Sequence, residues 1–283
     1  MIIDVHTHIF PKEVRDDREM FFVGEPAFTD IYQDPKSRLA GASDLIQAMD
    51  QDGVDMSLAF GFPWSNEEKA KVHNDYILEA QERYPGRIMG LASFSVKQDW
   101  AESEAERAIE SGLYGLGELA VYGGGWDDRV RDTIVALGGL CRSKDLPFLL
   151  HVNEPIGHKY PGKTPMNLKM VYDLVLALKG VKLILAHWGG GLFFFNLMKR
   201  EVPEALTDVY FDTAASPFLY RPEIYRLAGS IIGPRKILFG SDFPLIRPGR
   251  YFREMTSEDL ESETENMIKG GAAARLLSHL IYK

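Results

Sequence analysis

Near the start of the chain, in DVHTHIF, His6 and His8 stand one residue apart at the end of an apolar run. Side chains two apart along a strand share a face, so Ile3 and Val5 should face one way and Asp4, His6 and His8 the other. Two neutral imidazoles on one face can converge on one cation, at about 2.0–2.1 Å each. That chemistry needs more ligands than two. Other ionisable residues close other apolar runs: Glu118 in GLGEL, His151 in FLLHVNEP, His187 in LILAHWGG and Asp242 in ILFGSDFP. The set is rich in nitrogen and oxygen and free of thiolate. It suits Zn²⁺ first and leaves Mn²⁺, Fe²⁺, Co²⁺ and Ni²⁺ open, as one ion or two.

Residues so far apart in sequence act together only if their elements converge. Short β-rich runs alternate with helical patterns almost to the end, the signature of parallel βαβ units. The pattern predicts strands at Ile2–Val5, Val54–Phe60, Ile88–Phe94, Tyr114–Leu119, Phe148–His151, Val181–Ala186, Val209–Asp212 and Lys236–Phe239. Helices are expected near Ser43–Gln51, Asn66–Arg83, Trp100–Glu110, Asp127–Arg142, Met166–Leu178, Leu192–Val202 and Arg221–Ala228, with Ser43 and Asn66 as N-caps and a last helical region from Ser257 to Tyr282. Eight such units imply an α/β fold, a single (β/α)8 barrel over residues 1–283, whose strand ends meet at one rim. An open doubly wound sheet is the alternative, but no G-x-G-x-x-G follows the first strand. Two connections exceed what a βα loop needs. Phe10 to Ala42 carries Phe21, Phe22, Phe28 and Tyr32, and Phe243 to Thr256 carries Arg247, Arg250 and Arg253. Aromatics in the first favour an ordered lid or a subunit contact.

Composition narrows the function classes. Length 283, 45% apolar and 26% charged residues are ordinary for a soluble globular chain able to build a full core. Net charge of −9 argues against a nucleic-acid partner, which usually presents a basic stripe. No stretch reads as a signal peptide or membrane span, and the single Cys141 fits a reducing cytoplasm.

DVHTHIF, GLGEL, LLHVNEP, LILAHWGG and LFGSDFP, in this order and at these strand ends, resemble the metal-dependent amidohydrolase superfamily. The resemblance spans essentially the whole chain and is nearest the branch containing aminocarboxymuconate-semialdehyde and resorcylate-type decarboxylases. EPIGHKYPGK, residues 154–163, is similar to hydrolase members of that branch. One departure is MIKGGAAARLL, where Ala272 replaces the usual Asn. The resemblance implies that His6, His8, His151 and Asp242 hold metal, with Asp242 also accepting the proton of a metal-bound water. It leaves His187 open between a second metal, a general acid/base and an electrophile. It leaves Glu118 open between a bridge joining two ions and an acceptor that orients a ligand histidine.

A bound metal lowers the pKa of its water from about 15.7 to around 7, so a hydrolase of an amide, lactone or ester is the first expectation. A nonoxidative decarboxylase of an aromatic or unsaturated acid is the alternative, and a barrel retained only for binding is the third. The acidic chain disfavours a TatD-like nuclease. The partner implied is a small-molecule substrate, with self-association left open. Trp126, Trp188, Tyr122 and Phe243 lie just past strand ends as candidate pocket residues, with ordinary packing as the competing account. Arg247 and Arg250 are candidates for a substrate carboxylate and His158 for a substrate contact. His73 and His279 read as structural, and Gly123–Gly125 as a mobile part of the rim.

Overall fold

Runs such as PFLL and the LIL of residues 183–185, apolar through both faces, form strands only where a sheet is covered on both sides, as in a parallel α/β fold. The computed structural model describes residues 1–281 and shows eight such strands. They are β1 (Ile3–His8), β2 (Met56–Phe60), β3 (Ile88–Gly90), β4 (Leu116–Leu119), β5 (Pro147–Leu150), β6 (Lys182–Leu185), β7 (Val209–Asp212) and β8 (Ile237–Leu238). Hydrogen-bonded ladders run β1-β2-β3 and β4-β5-β6-β7-β8, parallel throughout. The two sheets meet at both edges. Ala92 bridges to Leu116, with Gly117 N–H donating to the Ala92 carbonyl at 2.8 Å. At the other edge Thr7 bridges to Phe243, and Val5 N–H donates to the Phe239 carbonyl at 2.8 Å. The strands therefore follow one another in chain order, as the barrel reading expected.

Several boundaries differ from expectation, each for a local reason. β3 ends at Gly90 and not Phe94, because past the bridge at Ala92 the chain leaves the ladder and Ser93 N–H turns to the Asn74 side chain at 2.9 Å. The helix expected from Ser43 begins at Ala42, since Gly41 is the cap and Asp44 reaches back to its N–H at 2.8 Å. Asn66 does cap its helix, accepting from Lys69 N–H at 2.9 Å. The expected helix Leu192–Val202 is replaced by a 3₁₀ stretch, His187–Leu197, whose HWGGG residues have positive φ, followed by a short helix at Glu201–Ala205.

Both long connections are structured. Residues 10–42 contain helices Lys12–Asp16 and Pro26–Tyr32. Phe28 is fully buried there between Tyr32, Phe62 and Trp64, at ring separations of 4.5–5.1 Å. The buried Glu25 carboxylate accepts from Ser65 and Asn66 N–H, fastening the segment to the loop after β2. The second connection becomes a helix, Pro248–Ser257. The last helical region is broken into Ser262–Asn266, a π-turn Met267–Gly271, Ala272–Leu276 and Ser278–Ile281, and the expected end at Tyr282 lies outside the described residues. Ala272 is buried, and the adjoining π-turn packs beneath β1 and β8, where Ile268 carbonyl accepts from Phe239 N–H at 3.0 Å. No helix among the described residues is long and apolar enough to cross a membrane.

Candidate metal centre

Neighbouring strands hold each ionisable rim residue by its backbone. The pairing of β1 with β2 shifts register between Asp4 and Thr7, the stretch that carries His6. The His6 and His8 rings lie 5.3 Å apart, and Phe60 stands edge-on to them at 5.1 and 4.7 Å. His151 N–H donates to Leu119 carbonyl and Asp242 N–H to His6 carbonyl, both at 2.9 Å. His187 and Asp242 have φ of 55° and 61°, a left-handed conformation costing of order 1–3 kcal/mol outside glycine. Such strain persists where the surroundings over-determine it, and here both strained residues face one cluster.

All six strand-end residues meet. Asp242 Oδ1 lies 3.6 Å from His6 Nε2 and 3.4 Å from His8 Nε2. Glu118 Oε1 lies 3.7 Å from His6 Nε2 and 3.5 Å from His187 Nε2, and its Oε2 lies 3.9 Å from His8 Nε2. These separations run from long hydrogen bonds, at His8–Asp242 and His187–Glu118, to contacts beyond hydrogen-bond reach. They are near the roughly 3.0–3.6 Å between two atoms that each lie about 2.1 Å from one ion. Two of the imidazoles are also anchored from behind. His6 Nδ1 donates to Asp212 Oδ2 at 2.9 Å, and His151 Nδ1 to Glu118 Oε1 at 2.8 Å. Their Nε2 atoms are buried and have no protein partner. A carboxylate behind an imidazole whose front nitrogen is bare is how metal-bound histidines are held. The donor set fits a divalent ion.

The cluster is electrostatically tense. Burial opposes the charge on His6, yet the carboxylates of Asp212 and Glu118 prevail and push its pKa up to about 10. His187 rises to about 9, against burial, through its bond to Glu118 and the charge of Asp242. Burial raises Asp242, but the bond from His8 and the charges of His6 and His187 outweigh it and bring the carboxyl to about 2. Glu118 is likewise held well below the usual carboxylate range by His151 and His6, despite burial.

Beside the cluster stands an aromatic wall. Phe62 and Tyr122 stack at 5.8 Å with planes 7° apart, and Tyr122 lies 5.7 Å from the His151 ring. Tyr32, from the 10–42 segment, lies 6.2 Å from Phe62. Burial and the Asp242 and Glu118 charges push the Tyr32 phenol up. Tyr160 is raised by burial, by its bond to Glu154 and more weakly by Asp242.

The other sequence candidates are placed differently. Trp188 is fully buried and donates to Ser216 Oγ at 2.9 Å, so it packs and does not line an open pocket. Arg247 turns to Asp52 and Gln51 on the helix Ala42–Asp52, at 2.9 and 2.8 Å. Arg250 lies over the Phe218 ring and 3.5 Å from Glu254. Both guanidinia are thus engaged by protein groups outside the cluster. His158 is exposed, 6.1 Å from the Tyr160 ring. Trp126 is half-buried against the core. His73 and His279 lie outside the cluster, donating to Ile9 and Asp145 carbonyls at 2.7 Å. Residues not singled out from sequence are Asp212, Phe62 and Tyr160, while Tyr32 was read only as one of the aromatics of the 10–42 segment. Asp212 carried a usable signal, since VYFD ends its strand in an ionisable residue as the other strands do.

A sequence model described as Amidohydrolase matches residues 3–278, and the chain belongs to that family. Its fold is similar to 5-carboxyvanillate decarboxylase of Sphingomonas paucimobilis (TM-score 0.71, 16% identity, 98% of each chain covered). A dihydroxybenzoic acid decarboxylase of Polaromonas sp. JS666, solved with manganese and 2-nitroresorcinol, is similar at TM-score 0.70 and 18% identity, covering 98% of this chain and 96% of that one. A Pseudomonas putida protein provisionally assigned as a 2-pyrone-4,6-dicarboxylic acid hydrolase follows at TM-score 0.65 and 16% identity, covering 99% and 98%.

Proposed function

We propose that the protein is a metal-dependent, nonoxidative decarboxylase of an aromatic or unsaturated carboxylic acid. The observation that carries this reading is the aromatic lining beside the histidine–carboxylate cluster, in which Phe62 and Tyr122 stack with planes 7° apart and Tyr32 stands edge-on to Phe62 at 76°. Aromatic rings set both parallel and edge-on suit a planar, unsaturated substrate. The decarboxylase activities of the similar Sphingomonas and Polaromonas proteins support it better than the hydrolase reading drawn first from the residues.

In this reading His6, His8, His151 and Asp242 hold one divalent ion, for which Zn²⁺ and Mn²⁺ both suit the nitrogen and oxygen donors. The ion supplies a positive centre for the substrate carboxylate. Glu118, hydrogen-bonded to His151 Nδ1, orients that histidine. Asp242 is placed to accept a proton from a substrate hydroxyl. His187 donates Nδ1–H to the Ala214 carbonyl at 3.0 Å, which leaves Nε2 facing the cluster. Its Nε2 proton passes to the carbon bearing the carboxylate. The bond between that carbon and the carboxylate then breaks, its electron pair returns to the substrate, Asp242 gives its proton back to the product oxygen, CO₂ departs and solvent reprotonates His187.

The test is to load the protein with Mn²⁺ or Zn²⁺ and offer hydroxylated benzoates and unsaturated acids beside lactones, amides and esters. Decarboxylation in D₂O should release CO₂ and place one deuterium at the carbon that carried the carboxylate. Hydrolysis of a lactone, amide or ester with no acid losing CO₂ would overturn the reading.

A further inference from the structure

Asp212 ends β7 with no exposed surface, and each of its oxygens has a separate task. Oδ2 accepts from His6 Nδ1 at 2.9 Å, across the barrel from β1. Oδ1 accepts from the backbone N–H of His187 at 2.9 Å and of Ala214 at 3.0 Å. The second bond holds His187 where its φ is 55°, and the third closes the turn whose carbonyl receives His187 Nδ1. One carboxylate thus sets a side chain on one strand and a backbone on another.

The proton direction matters most. A carboxylate only accepts, so the proton of the His6–Asp212 bond sits on Nδ1. When the ring gives up its second proton to take an ion, the one it loses is on the buried, unpartnered Nε2, whose lone pair then points at the cluster. We propose that Asp212 is a positioning residue for the metal centre: it keeps His6 in the tautomer able to bind an ion through Nε2 and holds His187 at its strained turn. This rests on His6 being a ligand, as in the function proposed above.

The test is Asp212→Asn, which keeps the size. Its amide oxygen still accepts from His187 and Ala214, but its NH₂ now faces His6 Nδ1 and only donates. Nδ1 must become the acceptor, and the proton moves to Nε2, the nitrogen needed for the ion. Zn²⁺ affinity, titrated against a competing chelator, should fall about 10–100-fold. The same substitution in a His6→Gln background should change affinity less than twofold, whereas a general loosening of the site would weaken both backgrounds equally. Zn²⁺-loaded wild-type protein should show ¹⁵N imidazole shifts of His6 with the proton on Nδ1 and the metal on Nε2. Wild type and Asp212→Asn binding Zn²⁺ equally, or equal losses in the two backgrounds, would overturn the role of Asp212 alone. No Zn²⁺ binding by wild type above a His6→Ala/His8→Ala variant would overturn the metal assignment and the proposal together.

Discussion

His187 and His73 put one side-chain type to opposite uses. His187 sits in a field of carboxylates that favours its proton. His187→Asn should therefore lower turnover by roughly 10²–10⁴, the range for a lost general acid, at unchanged metal content. Rates compared at matched metal occupancy check this, and a near-normal rate would remove His187 from the acid role. His73 is 1% exposed and must stay neutral. Its Nε2 donates to the Ile9 carbonyl, while Nδ1 accepts from Trp64 Nε1 at 2.8 Å, leaving no room for a second proton. Burial, only partly opposed by the Ile9 bond, lowers its pKa from 6.5 to about 4. Below the unfolded value the unfolded chain takes up a proton that the folded chain refuses. Its stabilisation is thus complete above pH 6.5 and lost as pH falls towards about 4, on the order of 3 kcal/mol in all. Urea midpoints from pH 7.5 to 4 should fall more steeply for wild type than for His73→Gln; parallel slopes would contradict the assignment.

The element most exposed to test is the 10–42 segment. Its sequence suggested an ordered lid or a subunit contact, and its contacts show what holds it in place. Glu25 receives the N–H groups of Ser65 and Asn66, at the start of the helix Glu67–Arg83, where negative charge is favoured. Lys69 donates back to the carbonyls of Phe21 and Val23, and Arg18 to those of Tyr32, Asp34 and Ser37. Glu25→Ala leaves two backbone donors unpaired, at about 1–3 kcal/mol for each that stays buried. Limited proteolysis should then cut within residues 17–25 faster than in wild type, while far-UV circular dichroism is kept. An unchanged cleavage rate would show that the apolar packing of Phe28 alone holds the segment.

Across the whole molecule, the rim joins β1, β4, β5, β6 and the turn after β8, so an ion there ties together elements spread over the chain. A ligand bound only by the folded state adds about 4 kcal/mol at a thousandfold excess over Kd. For a chain of this size that is on the order of 10 °C in Tm. Chelator-treated protein should melt lower by about this amount and recover with Mn²⁺ or Zn²⁺. A Tm indifferent to metal would contradict a structural tie at the rim.

Strand number, strand order and the six rim residues were legible because they depend on local pattern. An apolar run makes a buried strand, and parallel topology brings every strand end to the same side. The chemistry between aromatic-acid and hydrolytic substrates was not legible, because it turns on which side chains face the rim. Arg247 looked available for a carboxylate, but it pairs with Asp52, 195 residues away. Trp188 was open between a pocket wall and ordinary packing, and past the positive-φ turn at residues 187–191 it is fully buried. Glu118 was balanced between bridging two ions and orienting a histidine, and the 2.8 Å bond to His151 is the contact that favours orientation. His6 meets Asp212 across 206 residues. Periodicity sets which face a side chain occupies. Which of several partners it meets there depends on backbone from distant strands, and only the closed packing of the barrel brings that backbone into reach.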